Sequence, residues 1–338
     1  MSATITSPAA GRQAQILGIG GYRPHRVVTN AEIIEKIDSS DEWIRTRSGI
    51  ESRRWASEEE TVVAMSLAAA GKALAAAGVA PDQVGCVIVS TVSHLYQTPS
   101  AAAEIAHKLG TQHAAAFDIS AACAGFCYGV ALGSDMVRSG TSDYVLVIGV
   151  ERLSDLTDHY DRSTAFIFAD GAGAAVVGPS PDPTSSGIGP VVWGSDGSQL
   201  DLIRQKEEWR EAMFAEGGPR MPHLIMDGNP VFRWASFEMA KVAQQALDAA
   251  GLTVDDLDVF APHQANNRIT DAMARALKIP ERVKIARDIA HQGNASAASI
   301  PLALERMIET GEAKSGDLAL IIGFGAGLVY AGQVIRIP

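Results

Sequence analysis

Two stretches of this chain repeat one another at a fixed distance, and that repetition restricts the fold more than any other feature of the sequence. Ala73–Val89 reads ALAAAGVAPDQVGCVIV and Ala246–Pro262 reads ALDAAGLTVDDLDVFAP, with Gly78 and Gly251 standing 173 residues apart. Each is an Ala-rich helix stopped at Gly, then a short acidic turn and an apolar strand. Helix, glycine turn and apolar strand recur in any α/β protein, so one such match alone carries little. A second, SDYVLVIG at Ser142–Gly149 against GDLALIIG at Gly316–Gly323, falls at an offset of 174. Two matches at nearly one offset predict two copies of one α/β unit. The GAG triplets Gly171–Gly173 and Gly325–Gly327 stand only 154 residues apart, so the first copy carries about 20 extra residues between Gly149 and Gly171. A loop of that length, rich in charge and hydroxyls, is usually functional.

Patterning predicts helices over Thr61–Ala77, Pro99–Leu109 and Cys123–Arg138, and strands over Val84–Val92, Tyr144–Ile148 and Ala172–Val177. The second half is expected to hold helices over Val231–Ala250, Asn267–Leu277 and Ser296–Ile308, with strands over Leu257–Ala261, Leu318–Ile322 and Leu328–Ile337. The Pro-, Ser- and Gly-rich stretch Pro179–Gly189 reads as the junction, dividing the chain into an N-terminal half, 1–180, and a C-terminal half, 181–338.

Composition excludes several classes. With 47 % hydrophobic and 20 % charged residues, the chain has ordinary globular usage. A net charge of −11 argues against duplex nucleic acid as the main partner. No apolar run approaches the roughly 18 residues of a membrane span. Met1–Gln13 lacks the basic start and apolar stretch of a signal peptide, so a cytoplasmic protein is expected. Cys86, Cys123 and Cys127 are too few for a disulfide framework and read as free thiols. No HExxH or zinc spacing occurs, so no metal is expected. Gly18-Ile-Gly20-Gly21-Tyr22-Arg23 begins like a dinucleotide fingerprint but has Arg at the third glycine, and Gly171-Ala-Gly173 runs on into Ala-Ala-Val, so neither predicts a nicotinamide site.

Three residues suggest chemistry. Cys123 lies among small residues that open a helix, where the helix dipole favours thiolate. Taken alone it reads equally as a nucleophile and as a small buried residue, the reading preferred for Cys86 and Cys127. His263 follows the strand ending at Ala261, and its repeat position is Ser90, at the end of the first copy's strand. Ligands of α/β sheets gather at such carboxyl ends. Asn294 precedes a helix, where the plain reading is a cap. The repeat pairs Cys123 with Ala297, so the two helix starts are expected to face each other with all three residues between them.

At this point the chain resembles the β-ketoacyl-acyl carrier protein synthase III enzymes of the thiolase superfamily. The resemblance covers the chain after about Ala14 and rests on six motifs in order: SSDEWIRTRSGI (Ser39–Ile50), DISAACAGF (Asp118–Phe126), FADGAGAAVV (Phe168–Val177), PHQANNRI (Pro262–Ile269), GNASAASIP (Gly293–Pro301) and GFGAGLVYAG (Gly323–Gly332). It implies a duplicated, five-layered α-β-α-β-α fold. It also implies a Cys-His-Asn site of Cys123, His263 and Asn294, in which Cys123 takes an acyl group from acyl-coenzyme A and passes it to malonyl-acyl carrier protein with loss of carbon dioxide. His263 and Asn294 would steady the enolate, and the backbone N–H groups of Cys123 and Ala326 the tetrahedral oxyanion. Phe324 would shield the nucleophile from water.

The same resemblance assigns coenzyme A contacts to Trp43 and Arg162, which would sandwich the adenine, and to Arg47 and Asn229. Arg233 and Arg268 are candidates for docking the acidic carrier protein. Thr98 stands where short-primer members carry a bulky Phe, contributed across the dimer interface, so primers longer than acetyl or branched are expected. A homodimer is implied, and no cofactor beyond the thioester substrates. Three readings compete. The order Cys, His, Asn also fits papain-like proteases, but their Cys signature is absent and the architecture differs. A condensing enzyme of polyketide or quinolone synthesis would share the triad, whereas a non-catalytic partner subunit would typically lack the nucleophile.

Overall fold

In the computed structural model, residues 11–111 and 113–338 are described. Residues 1–10, on which most of the reading of a leaderless start rests, lie outside them. The strands in chain order are β1 (Ala14–Tyr22), β2 (Arg26–Thr29), β3 (Ser52–Trp55), β4 (Val84–Ser90), β5 (Ala115–Ile119), β6 (Tyr144–Arg152), β7 (Asp170–Pro179), β8 (Val192–Ser195), β9 (Ile203–Gln205), β10 (Leu224–Met226), β11 (Val259–Pro262), β12 (Lys284–Ile285), β13 (Leu318–Phe324) and β14 (Val329–Arg336). The α-helices are α1 (Asn30–Ile34), α2 (Asp41–Ser48), α3 (Val62–Ala77), α4 (Ala101–Leu109), α5 (Gly125–Ser139), α6 (Trp209–Met213), α7 (Gly228–Ala250), α8 (Asn267–Leu277), α9 (Ile289–Gln292) and α10 (Ser299–Glu309).

The duplication is visible strand for strand. One sheet runs β1-β7-β6-β4-β5 and the other β8-β14-β13-β11-β12. In the first, β5, β4 and β6 are parallel while β7 and β1 run antiparallel; in the second, β12, β11 and β13 are parallel and β14 and β8 antiparallel. α5 and α10 lie between the sheets, in a shared core that includes Phe126, Val130, Ile300, Leu304, Ile88 and Ile321. Outside, α3 and α4 cover the first sheet and α7 and α8 the second. The result is the five-layered α-β-α-β-α stack. Thr61 caps α3 by accepting the Ala64 N–H, and the paired glycines stop both outer helices in the left-handed region, Gly78 at φ +64 and Gly251 at φ +70.

The failed dinucleotide motif has another cause. A Cβ on Gly18 would lie 2.5 Å from the Ala73 carbonyl oxygen, and one on Gly20 would lie 2.5 Å from that of Ala69. These glycines let β1 press directly on the backbone of α3. Several expected boundaries shift. The helices predicted from Cys123 and Ser296 begin at Gly125 and Ser299, each after a single 3-10 turn, because those small-residue segments turn before they become helical. Residues 180–189 lead from β7 toward the second sheet, where Ile188 bridges Ile335.

Candidate active site

The site is built on two matching turns. Between β5 and α5, Ala122 takes φ +43, and between Asn294 and α10, Ser296 takes φ +46, 174 residues later. Left-handed backbone costs a non-glycine residue about 1–2 kcal/mol, and both copies hold it at the same point. In each copy a glycine from a neighbouring strand makes room. A Cβ on Gly149 would lie 2.2 Å from the Ala297 carbonyl oxygen, and one on Gly323 would lie 2.8 Å from the Ala124 Cα. Gly325 is closer still to the candidate nucleophile, since its Cβ would lie 2.8 Å from Cys123 N and 3.1 Å from Sγ. The Gly325 N–H is already spent on the Val329 carbonyl, and Ala326 beside it lines the cavity that reaches Cys123.

Burial pushes the Cys123 thiol up to about 12; the hydroxyl of Ser296 favours its thiolate, while the charge of Glu151 opposes it. The expected help from the helix N-terminus is therefore outweighed by desolvation. Cys86 and Cys127 are fully buried core residues.

His263 follows β11 and is 2 % exposed. Its Nδ1 lies 2.7 Å from Ser299 Oγ, and its ring meets Phe324 edge-on at 5.3 Å. Burial lowers its pKa to about 3, so the imidazole is neutral across the physiological range. Asn294 is held from both sides. Its backbone pairs with Ile167 and Ala169, and its Oδ1 accepts the Ser296 N–H at 2.9 Å, which leaves Nδ2 as the donor. Residues 166–168 are themselves anchored: buried Arg53 donates to the Phe166 carbonyl and Trp55 Nε1 to that of Phe168. Thus Ser296 holds Asn294 and lines the same cavity as Cys123, and Phe324–Gly325 links His263 to Cys123.

A cavity of about 1000 Å³ opens on Cys123, with Leu95, Phe117, Ile119, Leu156, Trp209 and Met213 among its apolar walls. Thr98 is exposed, and its neighbours Tyr96 and Gln97 line that cavity. Trp43 and Arg162 are brought together, the guanidinium 5.1 Å from the indole, and Arg47 lies 5.9 Å from the same ring. Asn229, at the start of α7, is exposed. Arg233 on α7 and Arg268 on α8 are also exposed, with Arg268 over Phe232 at 4.9 Å. No group of three or more His, Cys, Asp or Glu side chains among the described residues could hold a metal, and no helix among them is long and apolar enough to cross a membrane.

The sequence reading missed Ser296, Ser299 and Glu151, and it placed Gly325 in the oxyanion loop without its contact on Cys123. Ser296 and Ser299 stand in the quoted Gly293–Pro301 motif, but their partners are 145 and 36 residues away, beyond any local pattern. Glu151 is fully buried at the end of β6 and carried no sequence signal beyond its place in the insertion.

The chain is similar to known proteins along nearly all of its length. Residues 117–197 match the family described as 3-oxoacyl-[acyl-carrier-protein (ACP)] synthase III, and residues 247–337 match its C-terminal domain. A β-ketoacyl-[acyl-carrier-protein] synthase III of Streptomyces glaucescens is 63 % identical over 333 residues, covering 98 % of each chain. Among solved structures, the priming β-ketosynthase of the R1128 polyketide pathway superposes with a TM-score of 0.96 at 47 % identity, covering 99 % of each chain. The 3-oxoacyl-[acyl-carrier-protein] synthase III of Aquifex aeolicus VF5 gives 0.87 at 37 % identity, covering 96 % of this chain and 99 % of that one.

Proposed function

The chain belongs to the 3-oxoacyl-[acyl-carrier-protein] synthase III family of condensing, acyl-transferring enzymes, and from that premise we propose that Cys123, His263 and Asn294 carry its reaction. Cys123 Sγ attacks the carbonyl carbon of an acyl-coenzyme A thioester, coenzyme A leaves as the thiol, and an acyl-cysteine remains. Malonyl-acyl carrier protein then loses carbon dioxide. His263 and Asn294 donate hydrogen bonds to the resulting enolate oxygen, and a neutral imidazole suits this because its donor needs no mobile proton. The enolate carbon attacks acyl-Cys123, the backbone N–H groups of Cys123 and Ala326 hold the oxyanion, and collapse releases 3-oxoacyl-acyl carrier protein and the Cys123 thiolate, which takes a proton from water. Phe324, buried against His263, shields the site from water.

The observation that carries this reading is the thiol of Cys123 lying against Gly325 beneath a large, mostly apolar cavity, with two buried neutral donors fixed to the same turns. The division near residue 180 belongs to the proposal, each half supplying one turn. Trp43 and Arg162 would grip the adenine, with Arg47 and Asn229 along the nucleotide and pantetheine. A ring between Trp43 and Arg162 needs about 7 Å, at normal contact distances on each face, so Arg162 must lift by about 2 Å. Arg233 and Arg268, on adjacent helices, would receive the acidic carrier protein. The edge strand β5, with exposed Phe117, and the exposed side chains of Leu95 and Tyr96 favour a homodimer. The cavity volume, with Thr98 in place of an aromatic ring, favours primers longer than acetyl or branched. Priming of a polyketide assembly is the second reading, favoured by the close superposition on the R1128 enzyme.

Intact-protein mass after incubation with acetyl-, isobutyryl-, octanoyl- or dodecanoyl-coenzyme A tests the reading. A single acyl adduct, lost in Cys123→Ala, is expected. No adduct with any donor would refute the acyl-coenzyme A reading, and a preference for acetyl would refute the long primer.

A further inference from the structure

Arg53 is fully buried, and every acceptor of its guanidinium among the described residues is a carbonyl or an amide oxygen, never a carboxylate. Nη1 donates to the Val28 carbonyl at 3.2 Å, and Nη2 donates to Asn30 Oδ1 at 2.6 Å and to the Phe166 carbonyl at 3.0 Å. Nε has no partner among the described residues. Burial lowers the guanidinium to about 10, so it stays charged at neutral pH. A charge taken out of water without an opposite charge beside it is destabilising. The fold nevertheless keeps one here, aimed at main chain.

The acceptors show what it holds. Residues 166–168 form a strap alongside the Asn294 turn: the Asn294 N–H donates to the Ile167 carbonyl at 2.9 Å, and the Asn294 carbonyl accepts the Ala169 N–H at 3.0 Å. Arg53 and Trp55 stand two residues apart on β3 and therefore share one of its faces. They take the carbonyls on either side of Ile167, Arg53 that of Phe166 and Trp55 Nε1 that of Phe168, at 3.1 Å. Arg53 also reaches the turn directly, since a Cβ on Gly293 would lie 2.7 Å from Arg53 Cβ. The guanidinium is itself fixed. Buried Asn30, whose Oδ1 accepts from Arg53, donates through Nδ2 to Asp41 Oδ1 at 2.7 Å and to the Ile50 carbonyl at 3.0 Å, on either side of α2. From α2 the Trp43 ring meets Phe166 edge-on at 5.4 Å.

From this comb of contacts we propose that Arg53 is a positioning residue for the enolate step: its guanidinium sets the strap 166–168, and the strap sets where the Asn294 amide meets the substrate oxygen. The inference rests on Asn294 being an enolate donor. Asn294 Oδ1 is occupied by the Ser296 N–H, so the side chain offers Nδ2 from a place fixed by its own backbone. A shift of the strap moves that backbone and the donor together, and a donor displaced from developing charge loses much of its effect. Arginine suits the task because its planar fork engages several acceptors at once, where a lysine ammonium is a single point. Neither Arg53 nor Trp55 is among the residues lining the cavity that opens on Cys123.

Two assays on the purified enzyme separate positioning from general damage: release of labelled carbon dioxide from malonyl-acyl carrier protein without primer, and mass of the Cys123 adduct with acyl-coenzyme A. Arg53→Met keeps the stem and removes the donors, so kcat for decarboxylation should fall by about 10- to 100-fold with KM for malonyl-acyl carrier protein unchanged. Arg53→Lys should fall between that variant and the parent. Trp55→Phe removes one neutral donor from the other end of the strap and should slow decarboxylation by about two- to tenfold. Acylation should stay close to the parent rate in all three. In an Asn294→Ala background Arg53→Met should add nothing, because the group it positions is gone. Arg53→Lys and Trp55→Phe carry the prediction if Arg53→Met folds poorly. Parent-rate decarboxylation in both of them, equal loss in both assays, or a full further loss on top of Asn294→Ala would overturn the proposal. Asn294→Ala by itself distinguishes the two failures. Slow decarboxylation there, beside parent rates in the Arg53 and Trp55 variants, removes the positioning role and leaves the enolate donor standing. A parent rate in Asn294→Ala removes the enolate donor, and the positioning role with it.

Discussion

Replacing Ser299 by alanine tests whether His263 is held as an Nε2–H donor. Ser299 Oγ lies 2.7 Å from His263 Nδ1 and accepts the Gln264 N–H at 3.3 Å. With that N–H occupying one oxygen lone pair, a hydroxyl proton donated to Nδ1 would leave the ring proton on Nε2. Ser299→Ala removes the donor and leaves a buried ring nitrogen unpartnered, a loss of about 1–3 kcal/mol. It also frees the tautomer with the proton on Nδ1, which would turn a lone pair toward the enolate oxygen. Taking the same range as lost enolate stabilisation, decarboxylation of malonyl-acyl carrier protein should slow by roughly 5- to 150-fold. Release of labelled carbon dioxide without primer measures that step, and mass of the acyl adduct measures the other. Acylation of Cys123 should stay close to the parent rate, since Ser299 touches neither Cys123 nor its oxyanion donors. Decarboxylation at the parent rate, or equal loss in both steps, would refute the tautomer argument.

Three further outcomes follow from the packing and the charges. A Cβ on Gly125 would lie 1.6 Å from Ser90 Oγ, whereas one on Gly71, inside α3, meets nothing within 4 Å. Thermal or urea unfolding should therefore show Gly125→Ala destabilised by about 1–3 kcal/mol and Gly71→Ala stabilised by about 1 kcal/mol. Arg162→Ala should raise KM for acyl-coenzyme A by about two- to fivefold, the worth of an exposed cation–π contact, with kcat unchanged; an unchanged KM would remove Arg162 from the adenine site. Glu151 is raised from 4.5 to about 7, so its contribution to stability is fully present below pH 4.5 and is lost as pH rises through 7. That loss is about 3 kcal/mol, and Glu151→Gln escapes it. The Tm of the variant relative to the parent should therefore rise between pH 5 and pH 8.5, and a constant difference would show that Glu151 does not titrate in that range.

How much of this was legible follows from the range over which each signal acts. α8 was readable to the residue, Asn267–Leu277, because its apolar spacing, the preceding Asn266 cap and its amphipathic faces are all local. β1 was not, because Gly18 and Gly20 look like a loop until α3 is placed on them. β8 and β12, of 4 and 2 residues, are strands only because a neighbouring strand is there to pair with them. The positions of Cys123, His263 and Asn294 could be inferred because the repeat converts sequence offsets into spatial correspondence. The acidity of Cys123 could not, since helix position and burial act in opposite directions and only the structure shows which is larger. Glu151 was hidden for the same reason: an acid at a strand end reads as solvated until Ser93, Val92 and Ser296 close around it.

The duplication also explains why the chemistry is lopsided. The contact of His263 with Ser299 has a counterpart in the first copy, where Ser90 stands against Gly125 at the equivalent positions. Ser90 Oγ is buried there with no hydrogen-bond partner among the described residues. The same exchange relates Glu151 to Gly325, 174 residues apart. Each lies two residues past the glycine of its strand that presses on the opposite copy's turn, Gly149 on Ala297 and Gly323 on Cys123 and Ala124. Glycine at 325 leaves the thiol accessible, whereas glutamate at 151 fills the corresponding space and reaches Ser296. One half thus keeps a small residue where access is needed and the other an acid where a proton can be held. Exchanging these residues tests that division: Gly325→Glu would set a carboxylate against Cys123 N and Sγ, where a Cβ alone already lies within 3.1 Å, and acylation should be lost while the fold persists. Acylation at the parent rate would show that the two positions are not distinguished by the space and charge each turn can accept.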